Sequence, residues 1–232
     1  MSPATATGIV GYRGKGLWFC CFDVNDYLNL IAENKGLAFI RNFLFFAFRR
    51  YSMKLETERL TLHSLTEEDW PLFLQLYRDP QVIRYLADPL DEAEIHARFA
   101  GRLPAWNKHS QHWLCLVMRE KASGAALGLT GFRAEWLPFQ QAEVGFASLP
   151  AGQGKGYGKE SLRKLMDFAF NACGFHKLNA TVTEGNMASR RLLESCGFQL
   201  EGTLRDNFRL AGQWYNDWQL GLLASEYAVA KK

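Results

Sequence analysis

The stretch Gln153-Gly154-Lys155-Gly156-Tyr157-Gly158 constrains this chain more than any other segment, because of what stands on either side of it. Upstream, Ala142-Glu143-Val144-Gly145-Phe146-Ala147-Ser148 has β character and is ended by Leu149-Pro150. Downstream, Leu162, Leu165, Met166, Ala169 and Cys173 recur at spacings that share one face of a helix. The order is therefore strand, glycine-rich turn, helix. Alternating glycines remove side chains where a backbone must approach an anion closely. The first amides of the helix lack intrahelical partners and sit at the positive end of its dipole, so the turn suits a pyrophosphate.

Two familiar owners of such turns fit poorly. A nucleotide P-loop needs Ser or Thr after Gly-Lys, whereas Gly158-Lys159 is followed by Glu160. A dinucleotide fingerprint would place its third glycine at Lys159 and an acid at the end of the next strand. The next strand, Lys177 to Thr183, leads instead into Glu184-Gly185-Asn186. An acyl-CoA site remains.

Gln153-x-x-Gly156-x-Gly158 resembles the Gln/Arg-x-x-Gly-x-Gly/Ala motif of the GNAT superfamily of N-acetyltransferases. Asn186-Met187-Ala188-Ser189, Leu192 to Phe198 and Glu201-Gly202 resemble the second half of its RimJ/RimL-like branch. Leu55 to Leu62 resembles that branch's first strand, and Leu204-Arg205-Asp206, Gly212-Gln213-Trp214 and Gly221-Leu222-Leu223 its last hairpin. The resemblance covers Met53 to about Tyr227. It implies an acyl-CoA N-acyltransferase fold, a central mostly antiparallel sheet flanked by helices, with acetyl-CoA as co-substrate and no metal.

The rest of the chain narrows the setting. Its net charge of +3 resides in residues 1–52, where Arg13, Lys15, Lys35, Arg41, Arg49 and Arg50 outnumber Asp23, Asp26 and Glu33. From Met53 onward the charges balance, which argues against a nucleic-acid surface. Five cysteines, including Cys20-Cys21, show no metal or disulfide spacing, and a reducing cytoplasm is the simplest location. None of the five histidines has a metal-ligand companion at suitable spacing. The apolar run Gly36 to Phe48 is broken by Arg41-Asn42 and too short to span a bilayer. Residues 1–52 read as an extension outside the fold, either an interfacial anchor through Phe39 to Phe48 or a segment upstream of a translation start at Met53, the favoured reading. Residues 53–232 form the acetyltransferase domain, expected as a monomer or homodimer with no membrane partner.

Coarse patterning gives strands at Arg59–Ser64, Trp113–Met118, Ala125–Phe132, Gln141–Ser148, Lys177–Thr183, Phe198–Phe208 and Gln213–Leu222. Helices are expected at Glu67–Tyr77 with Thr66 as N-cap, Gln81–Tyr85, Asp91 to about Trp106, Lys155–Ala172 and Met187–Cys196. Strands with unevenly interspersed helices suggest an α/β or α+β domain built on a mixed sheet.

Transfer of an acetyl group from a thioester to an amine needs a held donor, an uncharged amine, an oxyanion partner and a proton or hydrogen bond for the leaving thiolate. The backbone of Gly154 to Gly158, including Tyr157, would take the pyrophosphate, with Gln153 and Lys155 assisting. The resemblance implies that Phe146, Ala147 and Ser148 pair with the pantetheine arm. Strand alternation sets Glu143, Gly145 and Ala147 on one face, which makes Glu143 the candidate base, against a structural ion pair or a water chain. Where many members carry a tyrosine acid this chain has Leu193. The RimJ/RimL-like serine is Ser189, one helical turn from Asn186, itself a good N-cap by type. In the last hairpin, relatives place an aspartate four residues after the glycine, where this chain has Asn216, with Asp217 next and on the opposite face. The aromatic residues Trp214, Tyr215 and Trp218 read as core and hairpin packing.

These observations point to direct transfer from acetyl-CoA to a primary amine in a ternary complex. The acceptor is a protein N-terminus or a small amine, and a carboxylate-rich pocket would favour polycations. Asp88, Asp91, Glu92 and Glu94 are candidate walls of that pocket or plain helix-start acids. The missing tyrosine leaves a second reading, a non-catalytic acyl-CoA-binding sensor.

Overall fold

The computed structural model describes residues 53–230. The expected N-terminal extension and its apolar run lie outside the described residues.

Eight strands form one mixed sheet: β1 (Lys54–Glu56), β2 (Leu60–Ser64), β3 (Trp113–Glu120), β4 (Ala126–Glu135), β5 (Gln141–Ser148), β6 (Lys177–Thr183), β7 (Gln199–Leu210) and β8 (Gln213–Leu223). Their spatial order is β1-β2-β3-β4-β5-β6-β8-β7. Every pairing is antiparallel except β5 with β6. The helices are α1 (Trp70–Arg78), α2 (Pro80–Ile83), α3 (Glu92–Ala100), α4 (Tyr157–Asp167), α5 (Met187–Glu194) and α6 (Ala224–Ala230).

The sheet divides the core in two because strand side chains alternate between faces. Leu114, Leu116 and Met118 of β3, with Ala142 and Val144 of β5, join Leu162, Leu165 and Met166 of α4 on one face. Cys115 and Val117 join Phe73 and Leu76 of α1 and Ile95 and Phe99 of α3 on the other. Phe73 and Phe99 meet edge to face at 5.3 Å between ring centres, and each is fully buried. A side chain of this size contributes about 2–3 kcal/mol by leaving water.

Several elements depart from the sequence pattern for local reasons. The single first strand splits into β1 and β2 at a turn that Thr57 closes, its hydroxyl accepting from the Leu60 amide at 2.8 Å. The helix expected from Asp91 to Trp106 ends at Ala100, with Gly101 as its C-cap and Pro104 soon after. The long helix starts at Tyr157 and continues beyond α4 as a π-helical turn, Phe168–Cys173, closed by left-handed Gly174. The C-terminal α6 follows β8 directly and carries no strong sequence signal. Trp218 is buried as expected of hairpin packing, but Trp214 is exposed, with the Arg209 guanidinium over its ring.

Candidate active site

β5 and β6 pair at only three positions, the last being Glu143 with Asn179. Beyond it β6 leans onto β8 and β5 stays with β4, so the sheet opens between them. The register decides which backbone groups face the opening. The Leu149 amide bonds to the Leu127 carbonyl at 2.9 Å, and hydrogen-bonded pairs of an antiparallel ladder recur at every second residue. Positions 143, 145 and 147 therefore spend their amides and carbonyls on β4, and Phe146 and Ser148 turn theirs to the opening. Of the three residues expected to pair with a ligand, Phe146 has both backbone groups free of β4 and Ser148 has its amide free, its carbonyl accepting from Gln153, whereas Ala147 is committed to β4.

The glycine turn reaches α4 through left-handed Gly154 and Gly156, at φ +73° and +82°. No side chain caps α4, which leaves its first amides open to an anion. Gly158 packs closely beneath α5, since a Cβ there would lie 3.3 Å from a Leu192 methyl. Gln153 holds the turn to β5 by donating to the Ser148 carbonyl at 2.9 Å. The Tyr157 ring lies beneath the Arg59 guanidinium at 4.6 Å, and its hydroxyl donates to Glu120. Only the Tyr157 backbone is left for a ligand. The Lys155 side chain is exposed.

Sequence reasoning missed the brace on this turn. Arg59 donates to the Lys155 carbonyl at 3.0 Å and to Glu160 at 2.7 Å. Burial works against charge on Glu160, but hydrogen bonds from Thr57 and from the Arg59 amide and guanidinium outweigh it and hold the carboxyl below its ordinary range. Arg59 lay within the segment compared to the first strand, and nothing in its neighbours signals a contact 101 residues away.

Asn186 is the N-cap of α5, its Oδ1 accepting from the Ser189 amide at 3.2 Å. Ser189 is half-buried, and its hydroxyl donates to no group among the described residues. Leu193 is buried in the core, so no acid stands at that position. Helices α4 and α5 contribute Leu162 and Leu193 to the same core cluster, on one face of the sheet.

A cavity of about 370 Å³ lies on the opposite face, against the opening. Glu143, Gly145 and Ala147 line it from β5, Thr181 and Thr183 from β6, and Asp217 from β8. Trp113 packs over Gly145, where a Cβ would come within 2.9 Å of the ring. Glu143 pairs with Arg133 at 3.1 Å and keeps its side chain 31 % exposed. It thus stands in an ion pair and on the cavity wall. Tyr85 closes one side, its carbonyl accepting from Thr183 at 3.3 Å.

The hairpin presents its acid one residue after Asn216. β7 bulges between Leu204 and Phe208, so residues 205–207 stand opposite Asn216. Asp217, not Asn216, lines the cavity; it is 3 % exposed, and Asn207 donates to one of its oxygens at 2.8 Å. Its Oδ1 is buried without a hydrogen-bond partner, as is the Thr130 hydroxyl, also in the wall. Asn216 turns away, donating to Glu184 at 2.7 Å. The four acids considered as a polycation wall are used elsewhere. Asp88 accepts from the Ala211 amide, Asp91 and Glu94 form a capping box, and Glu92 pairs with Arg78.

Cys115 also lines the cavity, but burial pushes its thiol up to about 11, far from a thiolate at neutral pH. Cys196, at the end of α5, is likewise shifted up by burial. Among the described residues no cluster of His, Cys, Asp or Glu is arranged to hold a metal ion, and no helix is long and apolar enough to cross a membrane.

Residues 59–199 match the family description "Acetyltransferase (GNAT) domain". The chain is 29 % identical over 176 residues to the uncharacterized N-acetyltransferase p20 of Bacillus licheniformis, covering 75 % of this chain and 98 % of that protein. It is 25 % identical to the spermidine N(1)-acetyltransferase of Escherichia coli (strain K12), over 74 % of this chain and 89 % of that one. The fold matches the crystal structure of spermidine N-acetyltransferase from Vibrio cholerae in complex with CoA and spermine. That match has a TM-score of 0.64 at 22 % identity and covers 74 % of this chain and 99 % of the other. The chain belongs to the GNAT family and is an N-acetyltransferase.

Proposed function

We propose that this protein, a member of the RimJ/RimL-like branch with residues 53–232 as its catalytic domain, transfers acetyl from acetyl-CoA directly to a primary amine. The observation that carries the reading is the opening between β5 and β6. It joins an uncapped helix N-terminus on one face of the sheet to a carboxylate-bearing cavity on the other. Acetyl-CoA enters from the α4–α5 side. Its pyrophosphate meets the amides of Gly154 to Gly158, and its pantetheine pairs with Phe146 and Ser148. The thioester reaches the opening, where the amine arrives from the cavity.

The amine nitrogen attacks the thioester carbonyl, a C–N bond forms and the C–S bond breaks. Glu143, directly or through water, takes the proton the nitrogen sheds, and Ser189 donates a hydrogen bond to the departing sulfur. The raised thiol of Cys115 supports direct attack over an acyl-cysteine. Initial-rate kinetics with varied acetyl-CoA and amine, and mass analysis of the product, test this. Intersecting double-reciprocal lines and an acetylated amine are expected; parallel lines or thioester hydrolysis alone would overturn it. In the sensor reading, Glu143→Gln and Ser189→Ala change nothing; loss of turnover with acetyl-CoA binding retained excludes it.

A further inference from the structure

The cavity is bipolar. At its β8 end stands Asp217, with one buried carboxylate oxygen unpartnered, and the Thr130 hydroxyl in the same wall is also unpartnered. Buried polar atoms of this kind are costly unless something fills their hydrogen bonds. At the opposite end stand Arg98 and Arg102, four residues apart at the end of α3 and beyond it. Each lies over an aromatic face, Arg98 at 5.9 Å from the Tyr77 ring centre and Arg102 at 5.3 Å from that of Phe73. Neither forms an ion pair among the described residues. Stacking holds a guanidinium in place while leaving its donors in the ring plane for an anion.

We infer that the acceptor is a small primary amine that also carries an anionic group, carboxylate or phosphate, the amine facing Asp217 at the opening and the anion facing Arg98 and Arg102. This inference rests on the acetyl-transfer reading of the same cavity. Arg102 stands by Cys115 of β3, and the opening lies between β5 and β6. Amine and guanidinium are therefore separated by two to three strand spacings, on the order of 10 Å. A short amino acid or amino phosphate, with a hydrogen bond at each end, spans that distance. A polyamine fits less well. Its second ammonium would meet the two arginines, and of the two carboxylates in the wall Glu143 is already paired with Arg133. The acids that would have drawn a polycation are used in helix caps and loop contacts.

The test is a kcat/KM comparison on the full chain with acetyl-CoA saturating. The amines are glycine, 4-aminobutyrate, 6-aminohexanoate and O-phosphoethanolamine, each against its neutral amide or alcohol counterpart, together with spermidine and a short peptide. The expected result is at least one anionic amine preferred about tenfold or more over its neutral counterpart and over spermidine. The carboxylates and the phosphate distinguish the two anion sources. In Arg98→Met and Arg102→Met that preference should fall toward one, and in Arg98→Lys it should partly return. Preference for spermidine or the peptide, no discrimination by charge, or discrimination unchanged in both methionine variants would overturn the inference. So would failure of every anionic amine while acetyl-CoA binding and transfer to another amine persist. If acetyl-CoA itself does not bind, it is the acetyl-transfer reading that fails, and this inference falls with it.

Discussion

Glu143 and Asn179 are the last residues at which β5 and β6 meet as a sheet. The parting of the strands beyond that pair gives the fold a passage from the α4–α5 face to the cavity on the other face. A closed sheet would separate the two substrates by its own thickness; in the proposed function they react through the opening.

The passage depends on a residue without a side chain. In Gly145→Ala, the added Cβ falls 2.9 Å from the Trp113 ring, which must shift within the cavity. The expected result is a loss of kcat/KM between about tenfold and a hundredfold, because small displacements at a reacting centre are expensive. Acetyl-CoA affinity, measured by calorimetry, should change much less.

The brace under the glycine turn has a pH signature. Because Glu160 has a lowered folded-state value, its contribution is complete above the ordinary carboxylate range and is lost as pH falls through the lowered value. Glu160→Gln should cost about 1 kcal/mol at neutral pH and weaken acetyl-CoA binding. Its stability difference from the wild type should be flat between about pH 6 and 8 and shrink on acidification below about pH 4. Denaturant unfolding across that range checks this; a difference that grows on acidification would contradict it.

In the proposed mechanism Asn186 is scaffold and Ser189 takes part in the chemistry. Asn186→Ala removes the cap of α5 and should destabilise the fold by about 1 kcal/mol, read as a shift in the unfolding midpoint. Ser189→Ala leaves the cap's donor in place, since the bond runs from the Ser189 backbone amide. It should lower kcat with stability unchanged.

The elevated Cys115 thiol gives a direct prediction. Intact-mass measurement after mixing the protein with acetyl-CoA, without amine, should show no acetylated chain. An added acetyl group mapped to Cys115 would require a two-step route.

Much of this architecture was legible in the sequence, because β5, β6, α4 and α5 are written in strong local patterns: alternation, helical spacing, glycines at left-handed turns and an N-cap asparagine. What escaped was non-local. Arg59 reaches Glu160 across 101 residues of chain, and Arg98 and Arg102 come to line the cavity only when α3 is laid over the sheet. The hairpin misled for a subtler reason. Counting from Gly212 placed the acid's position at Asn216, but β8 runs in unbroken register with β6, where Asp217 stands opposite Thr183 and lines the cavity with it. Neighbouring strand residues point to opposite faces, so Asn216 turns away.

The most direct test of the central claim is amide-resolved hydrogen exchange of the full chain with and without acetyl-CoA. The free protein should show Glu143, Gly145 and Ala147 protected by β4, with Phe146 and Ser148 exchanging fast. On adding acetyl-CoA, protection should rise at Phe146 and Ser148 and across Gly154 to Lys159. Binding that protects neither of the two β5 amides would contradict a donor seated between β5 and β6.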